Sequence, residues 1–281
     1  MSNQNKFKIT LGFSPCPNDT FIFDALVNGK IDTQGIEFDY FLADVEELNN
    51  KALKSEPDIT KLSFFAYAFL WKHYQLLDSG SALGNNCGPL LISKTKYEFS
   101  EIHSLRISVP GFYTTANFLM SFAFPDAINK KSIIFSDIEN AVLQGLTDAG
   151  VIIHENRFTY TDRGLVKIID LGEYWESKTG YPIPLGGIAI KRNLPEDFKN
   201  KINSLLKQSV EFALSNPLSS KKFVKQNAQE ISEEVIKKHI ELYVNNYTKN
   251  LGKQGKEAIN FMYDFVYKSK LIPELPEKIF L

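Results

Sequence analysis

Hydrophobic residues in the first 75 positions recur with two alternating periods. Segments 7–13, 36–41 and 58–63 alternate apolar with polar or small residues, as half-buried strands do. Segments 21–27 and 44–52, which lie between them, carry apolar residues at i+3 and i+4, and this spacing predicts helices. The order strand, helix, strand, helix predicts a parallel sheet covered by helices.

The same two periods return further along the chain. After the third strand an apolar helix is predicted over 64–71, and a turn-rich break follows at 84–88. A second set of elements is then predicted, with strands at 105–109, 131–135 and 148–153 and helices at 115–124 and 136–146, the last with a Ser136–Glu139 capping box. The remaining residues predict helices with apolar faces over 202–209, 236–244 and 258–265, the middle one ended by Gly252.

Two strands, at 89–93 and 188–190, are placed to cross between the two sets. They predict a two-lobed α/β protein, with the second lobe at 93–187 inserted into a first lobe made of 1–92 and 188–281. Proteins of this kind bind ligands between the lobes, where strand ends and helix N-termini meet.

The segment Ser14–Phe21 joins the first strand to the first helix. Its two prolines, one residue apart, exclude a regular helix or a central strand between those elements. Asn18 lies at the helix start, where capping side chains leave backbone N–H groups for a ligand. Both a ligand-binding loop and a well-capped connector fit this pattern.

Composition narrows the class of function. The chain has 281 residues, 43% hydrophobic and 23% charged, as in ordinary globular proteins. Its formal net charge of -1 gives no electrostatic reason to bind nucleic acid or a membrane surface, so neither is expected as a partner. Segment 1–6 lacks the apolar stretch of a signal peptide, so a cytoplasmic location is predicted. The two cysteines, Cys16 and Cys87, form no metal pattern and are predicted to be free thiols, with Cys16 in a packing role.

One of the four histidines lies where α/β proteins place catalytic groups. His154 directly follows the apolar run 151–153, at the C-terminal end of a predicted strand. An imidazole with an ordinary pKa near ~6.5 can accept a proton at neutral pH, although a structural role fits this position equally. Surface or half-buried structural roles are predicted for His73, His103 and His239.

Hydroxyl side chains occupy two predicted helix starts. Ser63 ends the third strand, and Thr114 and Thr115 open the first helix of the second lobe. Hydroxyls and N–H groups at a helix start bind carboxylates or phosphates, although simple capping also explains them. The chain contains no phosphate-loop, dinucleotide, nucleophile-elbow or zinc-protease motif, and the residues point to no metal or nucleotide cofactor.

Four segments together resemble the 1,4-dihydroxy-6-naphthoate synthase family, enzymes of the futalosine route to menaquinone. These segments are Ser14–Phe21, Thr60–Ser63, Val109–Ala116 and Gly150–Glu155, and the family length fits almost the whole chain. The resemblance implies a type II periplasmic-binding-protein-like fold, in which each lobe is a mixed, mostly parallel sheet flanked by helices.

The resemblance also implies a reaction and a set of site residues. A carbon–carbon lyase would convert cyclic dehypoxanthinyl futalosine, a small carboxylate, to 1,4-dihydroxy-6-naphthoate without a metal or redox cofactor, and His154 would be the proton acceptor. Phe21 or Tyr113 would pack on the substrate ring. The residues expected around the substrate are Lys61, Leu62, Ser63, Thr115 and Ala116, with Asn18 and Thr114 beside them.

Three alternatives remain open from the sequence. A solute-binding protein would share the fold but needs export or a lipid anchor, for which the first residues show no signal. Chorismate dehydratase of the same route shares the fold and acts on another carboxylate, and a non-enzymatic sensor would bind a carboxylate without turnover. Both a monomer and a homodimer are compatible with the sequence.

Overall fold

The computed structural model describes residues 7–228 and 232–281, which form eleven strands and twelve α-helices. The strands are β1 (Phe7–Phe13), β2 (Ile36–Leu42), β3 (Ile59–Ser63), β4 (Tyr74–Leu76), β5 (Ala82–Gly84), β6 (Leu90–Ser93), β7 (Ile107–Val109), β8 (Lys130–Ser132), β9 (Ala149–Ile152), β10 (Val166–Asp170) and β11 (Ile183–Lys191). The helices are α1 (Pro17–Val27), α2 (Val45–Leu53), α3 (Phe64–Tyr67), α4 (Thr115–Ala123), α5 (Ile138–Leu143), α6 (Asn156–Thr159), α7 (Leu171–Thr179), α8 (Glu196–Ser215), α9 (Lys221–Asn227), α10 (Glu233–Tyr243), α11 (Asn246–Lys249) and α12 (Gly252–Lys268).

The first lobe is built on a sheet with the strand order β2-β1-β3-β11-β4, and β5 also pairs with β11. β1 pairs in parallel with β2 and β3, whereas β11 runs antiparallel to β3, β4 and β5. The alternating residues Ile9, Leu11 and Phe13 of β1 are buried in the core of this lobe. Helix α8 covers this core beside α1, and Ser209 Oγ donates to the carbonyl of Ile22 at 2.6 Å.

The second lobe is built on a sheet with the strand order β10-β6-β9-β7-β8. β6 runs antiparallel to β9 and β10, whereas β7 is parallel to β8 and β9. The chain thus enters the second sheet at β6 and returns to the first at β11, and helices flank both sheets. The predicted two-lobed α/β fold with mixed sheets is confirmed, but the sheets are not mostly parallel: antiparallel pairs outnumber parallel ones in the first sheet and equal them in the second. The lobe boundaries at 92/93 and 187/188 stay predictions.

A close backbone contact lies at the entry into the second sheet. Gly88, two residues before β6, approaches α7 so closely that a Cβ atom on it would lie 2.3 Å from Cα of Gly172. Asp170 caps α7 by accepting from the amide of Gly172 at 2.9 Å, and Arg157 donates to both Asp170 and the carbonyl of Gly88. The crossing therefore requires a residue without a side chain at position 88.

Two predicted helices differ from those in the structure. The helix predicted over 64–71 stops at Tyr67 and continues as turns with bonds from residue i+3 to residue i, such as Leu70 N to Tyr67 O. The Ser136–Glu139 capping box is absent, because the Glu139 carboxylate binds Arg163 at 2.8 Å and the helix begins at Ile138. Helix α5 then ends at Leu143, not at position 146.

Two further boundaries were predicted wrongly. Gly252 does not end the helix that contains positions 236–244, because α10 stops at Tyr243 and Gly252 begins α12 with a φ of 59°. The strand predicted over 131–135 is β8, which ends at Ser132 and gives way to a 3₁₀ turn from Phe135. Of the helices in the described part of the chain, none combines the length and the apolar character needed to cross a membrane.

The contact at Gly88 predicts a specific loss of stability. Gly88→Ala should lower the free energy of unfolding by at least about 2 kcal/mol, because two backbone segments must separate to admit the methyl group. Urea denaturation of the purified variant measures this change. The matched control is Gly255→Ala in α12, where a Cβ meets only side-chain atoms at 3.3 Å or more and alanine favours the helix. Equal stability of the two variants would contradict the account.

Candidate functional site

A cleft lies where the ends of β1, β3 and β9 meet the starts of α1 and α4. The empty space within it is about 650 Å³, including a part that is open to solvent. This volume is within the range of small-molecule sites. The structure brings His154 together with the seven residues expected around the substrate, which are Asn18, Lys61, Leu62, Ser63, Thr114, Thr115 and Ala116. Their roles are not tested by this arrangement and remain predictions.

The carboxylate of Asp19, in the first turn of α1, is the most heavily bonded group in the cleft wall. Its Oδ2 accepts from the backbone N of Ser14 at 3.2 Å and from its hydroxyl at 2.7 Å. Its Oδ1 accepts from Asn18 Nδ2 and from Lys61 Nζ, both at 2.9 Å. The side chains of Asp19 and Lys61 are 1% and 7% exposed, so this is a buried ion pair.

His239 belongs to the same network, contrary to the prediction of a surface or half-buried role. Its side chain on α10 is fully buried, and its Nε2 lies 2.9 Å from Asn18 Oδ1. Its ring is 6.2 Å from that of His154 and 4.6 Å from that of Tyr243, measured between centroids. His73 and His103 are exposed, as predicted.

The helix starts at Ser63 and Thr115 are joined across the two lobes. The amide of Ser63 donates to Asn49 Oδ1 at 2.9 Å, and its hydroxyl accepts from Asn49 Nδ2 at 3.2 Å. The backbone N–H of Ser63 is therefore already hydrogen-bonded to Asn49, and only the side-chain O–H of Ser63 can donate to a ligand. The Thr115 hydroxyl donates to the carbonyl of Leu185 at 2.7 Å and accepts from the amide of Phe65 at 3.3 Å.

The N-terminus of α4 keeps donors for a ligand. Thr114 caps it by accepting from the amide of Asn117 at 3.2 Å. The amides of Thr115 and Ala116, at the first two positions of the helix, have no carbonyl of their own helix to bond. Together with the helix dipole they form a site suited to a carboxylate.

His154 combines an unusual backbone conformation with an unbonded ring nitrogen. Its φ of 57° is in the left-handed region, which non-glycine residues adopt rarely and often at functional sites. Its Nε2 is buried and has no hydrogen-bond partner within residues 7–228 and 232–281. Burial lowers the pKa of His154 to about 4, and the nearby carboxylate of Asp19 opposes that shift. The imidazole is therefore uncharged at neutral pH and can accept a proton.

The remaining wall of the cleft is largely apolar and differs from the predicted one. Phe21 is in the core of the first lobe, and Tyr113 packs edge to face on Phe69, so neither is among the lining residues. Side chains that the sequence did not single out take their place: Val45, Ala82, Cys87, Pro89, Ile153, Leu185 and Tyr243.

Both cysteines are buried free thiols, as predicted. Burial raises the pKa of Cys16, and it raises that of Cys87 to about 12, so neither thiol is ionised at neutral pH. Thiolate, not thiol, is the nucleophilic form, and nucleophilic catalysis by either cysteine is therefore disfavoured. No group of three or more His, Cys, Asp or Glu side chains suited to a metal ion occurs in the part of the chain that the structure describes.

The two sheets, the strand crossings and the cleft between the lobes define a protein with a periplasmic-binding-protein-like fold. An alkanesulfonate-binding protein from Xanthomonas axonopodis pv. citri, solved with bound MOPS, aligns with a TM-score of 0.71 over 97% of this chain and 95% of its own. The two sequences are 13% identical, so this likeness shows the fold alone.

The chain belongs to the menaquinone biosynthesis family, whose model matches residues 9–268. A protein from Thermus thermophilus named 1,4-dihydroxy-6-naphthoate synthase is 40% identical over 273 residues, which cover 97% of this chain and 99% of that relative. A protein of the same name from Streptomyces coelicolor is 36% identical, with 95% of each chain covered. A solved structure from Archaeoglobus fulgidus is 33% identical, covers 96% of this chain and all of its own, and has a TM-score of 0.90.

The buried ion pair predicts a strong asymmetry between single and double substitutions. Asp19→Ala should lower the free energy of unfolding by about 3–5 kcal/mol, because it leaves the Lys61 ammonium buried without its partner. Adding Lys61→Met should recover part of that loss. Urea denaturation checks both. The control is Asp39→Ala, which breaks an exposed pair with Lys8 and should cost less than about 1 kcal/mol. Similar losses for Asp19→Ala and Asp39→Ala would contradict the buried-pair account.

Proposed function

We propose that this chain is a carbon–carbon lyase that converts cyclic dehypoxanthinyl futalosine to 1,4-dihydroxy-6-naphthoate. The observation that carries the proposal is the uncharged His154 in the cleft wall, whose Nε2 has no hydrogen-bond partner among the described residues. The two relatives named as 1,4-dihydroxy-6-naphthoate synthases support the choice of reaction. A cytoplasmic location and action as a monomer or homodimer, without nucleic acid or membrane, belong to the same proposal.

The carboxylate of the substrate is proposed to bind at the start of α4. The amides of Thr115 and Ala116 supply two N–H donors, and the hydroxyl of Ser63 supplies a third across the cleft. The buried ammonium of Lys61 adds positive charge in the same cleft. These groups would fix one end of the substrate, and its ring would pack on the apolar walls beside Leu62 and Leu185.

With the substrate so held, His154 would act as the general base. Its Nε2 lone pair would take the proton from an acidic carbon, and the electron pair left on carbon would expel the neighbouring fragment. The product is aromatic, and aromatisation drives the fragmentation forward. A positioned base contributes on the order of 10²–10⁴-fold to a rate. The imidazolium formed in this step is favoured by the negative charge of Asp19, which raises the pKa of His154.

Contacts between the lobes at the edge of the cleft would shield this step from water. Glu46 in α2 accepts from the amide of Tyr113 at 3.1 Å, and the carboxylate fits only because Gly111 beside it has no Cβ. Burial raises the pKa of Glu46. Exclusion of water strengthens the electrostatic interactions within the cleft and protects reactive intermediates.

Incubation of the purified protein with cyclic dehypoxanthinyl futalosine, followed by chromatography, tests the proposal. We expect 1,4-dihydroxy-6-naphthoate to accumulate with repeated turnover, and chorismate supplied in a parallel reaction to remain unchanged. Dehydration of chorismate would instead identify a chorismate dehydratase. Tight binding of the futalosine derivative without product would identify a binding protein.

Substitution of the base should separate turnover from binding. His154→Ala is expected to lower kcat by about 10²–10⁴-fold, because the proton acceptor is lost, while the fold and most of the substrate affinity remain. Steady-state kinetics and calorimetric titration measure the two effects. His103→Ala, at an exposed position in the second lobe, is the matched control and should behave as wild type. Wild-type turnover by His154→Ala would eliminate the base assignment.

The lowered pKa of His154 predicts the acid limb of the pH profile. Protonation removes the acceptor, and burial shifts that protonation from an ordinary value of 6.5 to about 4. The kcat/KM of the free enzyme should therefore stay level from pH 8 to about 5.5 and fall as the pH approaches 4. Rates are measured at each pH, and a circular dichroism spectrum recorded at the same pH confirms that the protein is folded. An acid limb centred near pH 6.5 would show that the base is a solvent-exposed group.

A further inference from the structure

His239 is a fully buried imidazole that the proposed reaction does not use. It is on α10, and its hydrogen-bond partner Asn18 is at the start of α1, 221 positions away in sequence. Asn18 lines the cleft, whereas His239 is behind it. An apolar ring would fill the same space without burying two ring nitrogens, so packing alone does not account for a histidine here.

The hydrogen bonds determine which nitrogen of His239 carries the proton. Asn18 Nδ2 donates to the Asp19 carboxylate, which only accepts, so the Asn18 amide has one orientation. Its Oδ1 then faces His239 and can only accept, which makes Nε2 of His239 the N–H donor. Nδ2 carries a second N–H, and because Asn18 lines the cleft we infer that this donor is available to a ligand.

The groups around His239 keep its ring uncharged. Burial lowers the pKa of His239, and the neighbouring His154 and Lys61 lower it further. The Nδ1 atom of His239 lacks a hydrogen-bond partner among the described residues, and the carboxyl of Glu155 is 3.8 Å from it. The ring of Tyr243 packs on the His239 ring. The hydrogen bond to Asn18 places the hydrogen on Nε2, and burial with the neighbouring Lys61 keeps the ring neutral, while the Glu155 carboxyl lies beyond hydrogen-bond distance of Nδ1.

We propose that His239 is a positioning residue: it holds the Asn18 amide in the orientation that presents an N–H to the substrate and keeps a rigid ring behind His154. This inference rests on the proposed function, because the substrate that Asn18 meets is the one assigned above. His239 acts only through Asn18 and through its ring contact at 6.2 Å with His154. Misplacement of a substrate-contacting group by about 1 Å lowers rates by up to ~10²-fold.

The first test requires no turnover. Nitrogen-detected NMR of ¹⁵N-histidine-labelled protein without substrate should show His239 as the Nε2–H tautomer at pH 7, with no titration between pH 8 and 5. The signal is assigned by its loss in His239→Gln. In Asn18→Ala the Nε2 signal should shift, because its acceptor is gone. The Nδ1–H tautomer, or titration near pH 6.5, would overturn the proposal whether or not the proposed reaction is correct.

The second test uses kinetics and a conservative rescue. His239→Phe keeps a ring without a donor and should lower kcat/KM by about 10- to 100-fold. His239→Gln places an amide N–H near the position of Nε2 and should recover activity to within about threefold of wild type. In His239→Phe/Asn18→Ala the loss should not exceed that of Asn18→Ala alone, because both changes remove the same interaction.

A purely structural role gives a different pattern. His239→Phe would then change the urea midpoint while leaving kcat/KM at the wild-type value, and this outcome would overturn the proposal. Additive losses in the double variant, or a glutamine variant as slow as the phenylalanine variant, would overturn it as well. If the wild-type protein forms no product, the proposed function fails on its own and the NMR tautomer still decides the role of His239.

Discussion

The Asp19 carboxylate is buried, and a buried charge must be surrounded by donors, which fixes the arrangement of the site. Its donors come from three separate segments: Ser14 after β1, Asn18 in α1, and Lys61 in β3. Through Asn18 the constraint extends to His239 on α10. One negative charge therefore sets the relative positions of two strands and two helices around the cleft.

This arrangement does not need to be the most stable one. Replacing a buried ion pair by apolar residues of similar size is often neutral or stabilising, because both charges must be removed from water. We interpret the ion pair of Asp19 and Lys61 as an interaction that fixes the side chains around it and places a negative charge near His154. Burial keeps His154 uncharged, whereas the Asp19 carboxylate favours the imidazolium that a base must become. The two opposing effects suit a group that accepts and then returns a proton.

The parts of the site that could be predicted from the sequence are those whose signal is local. His154 follows an apolar strand, and Thr114 begins a helix, so neighbouring residues are enough to place both at element ends. The charged residues around His239 predict a position at or near the surface, yet its hydrogen-bond partner Asn18 is 221 positions away in sequence. The resemblance implies that Phe21 packs on the substrate ring, but its side chain packs into the core of the first lobe. Packing between residues that are distant in sequence cannot be predicted from the pattern of the residues that neighbour either one.

The helix boundaries fail for a similar reason. Glu139 has the right spacing for a capping box with Ser136, but Arg163 competes for its carboxylate through a contact 24 positions away. The cleft walls also depend on tertiary contacts, since Leu185 and Cys87 reach the site from segments whose local sequence does not indicate a ligand site. Sequence patterns thus located the loops that border the cleft, and the packing of the two lobes determines which side chains meet in it.

The central claim is that a substrate carboxylate binds at the start of α4 and presents the reacting carbon to His154. A crystal structure of the His154→Ala protein with cyclic dehypoxanthinyl futalosine bound tests it most directly. The account predicts carboxylate oxygens within about 2.7–3.2 Å of the amides of Thr115 and Ala116, with the acidic carbon facing the space left by the imidazole. A substrate bound outside the cleft, or with its reacting carbon turned away from position 154, would contradict the account.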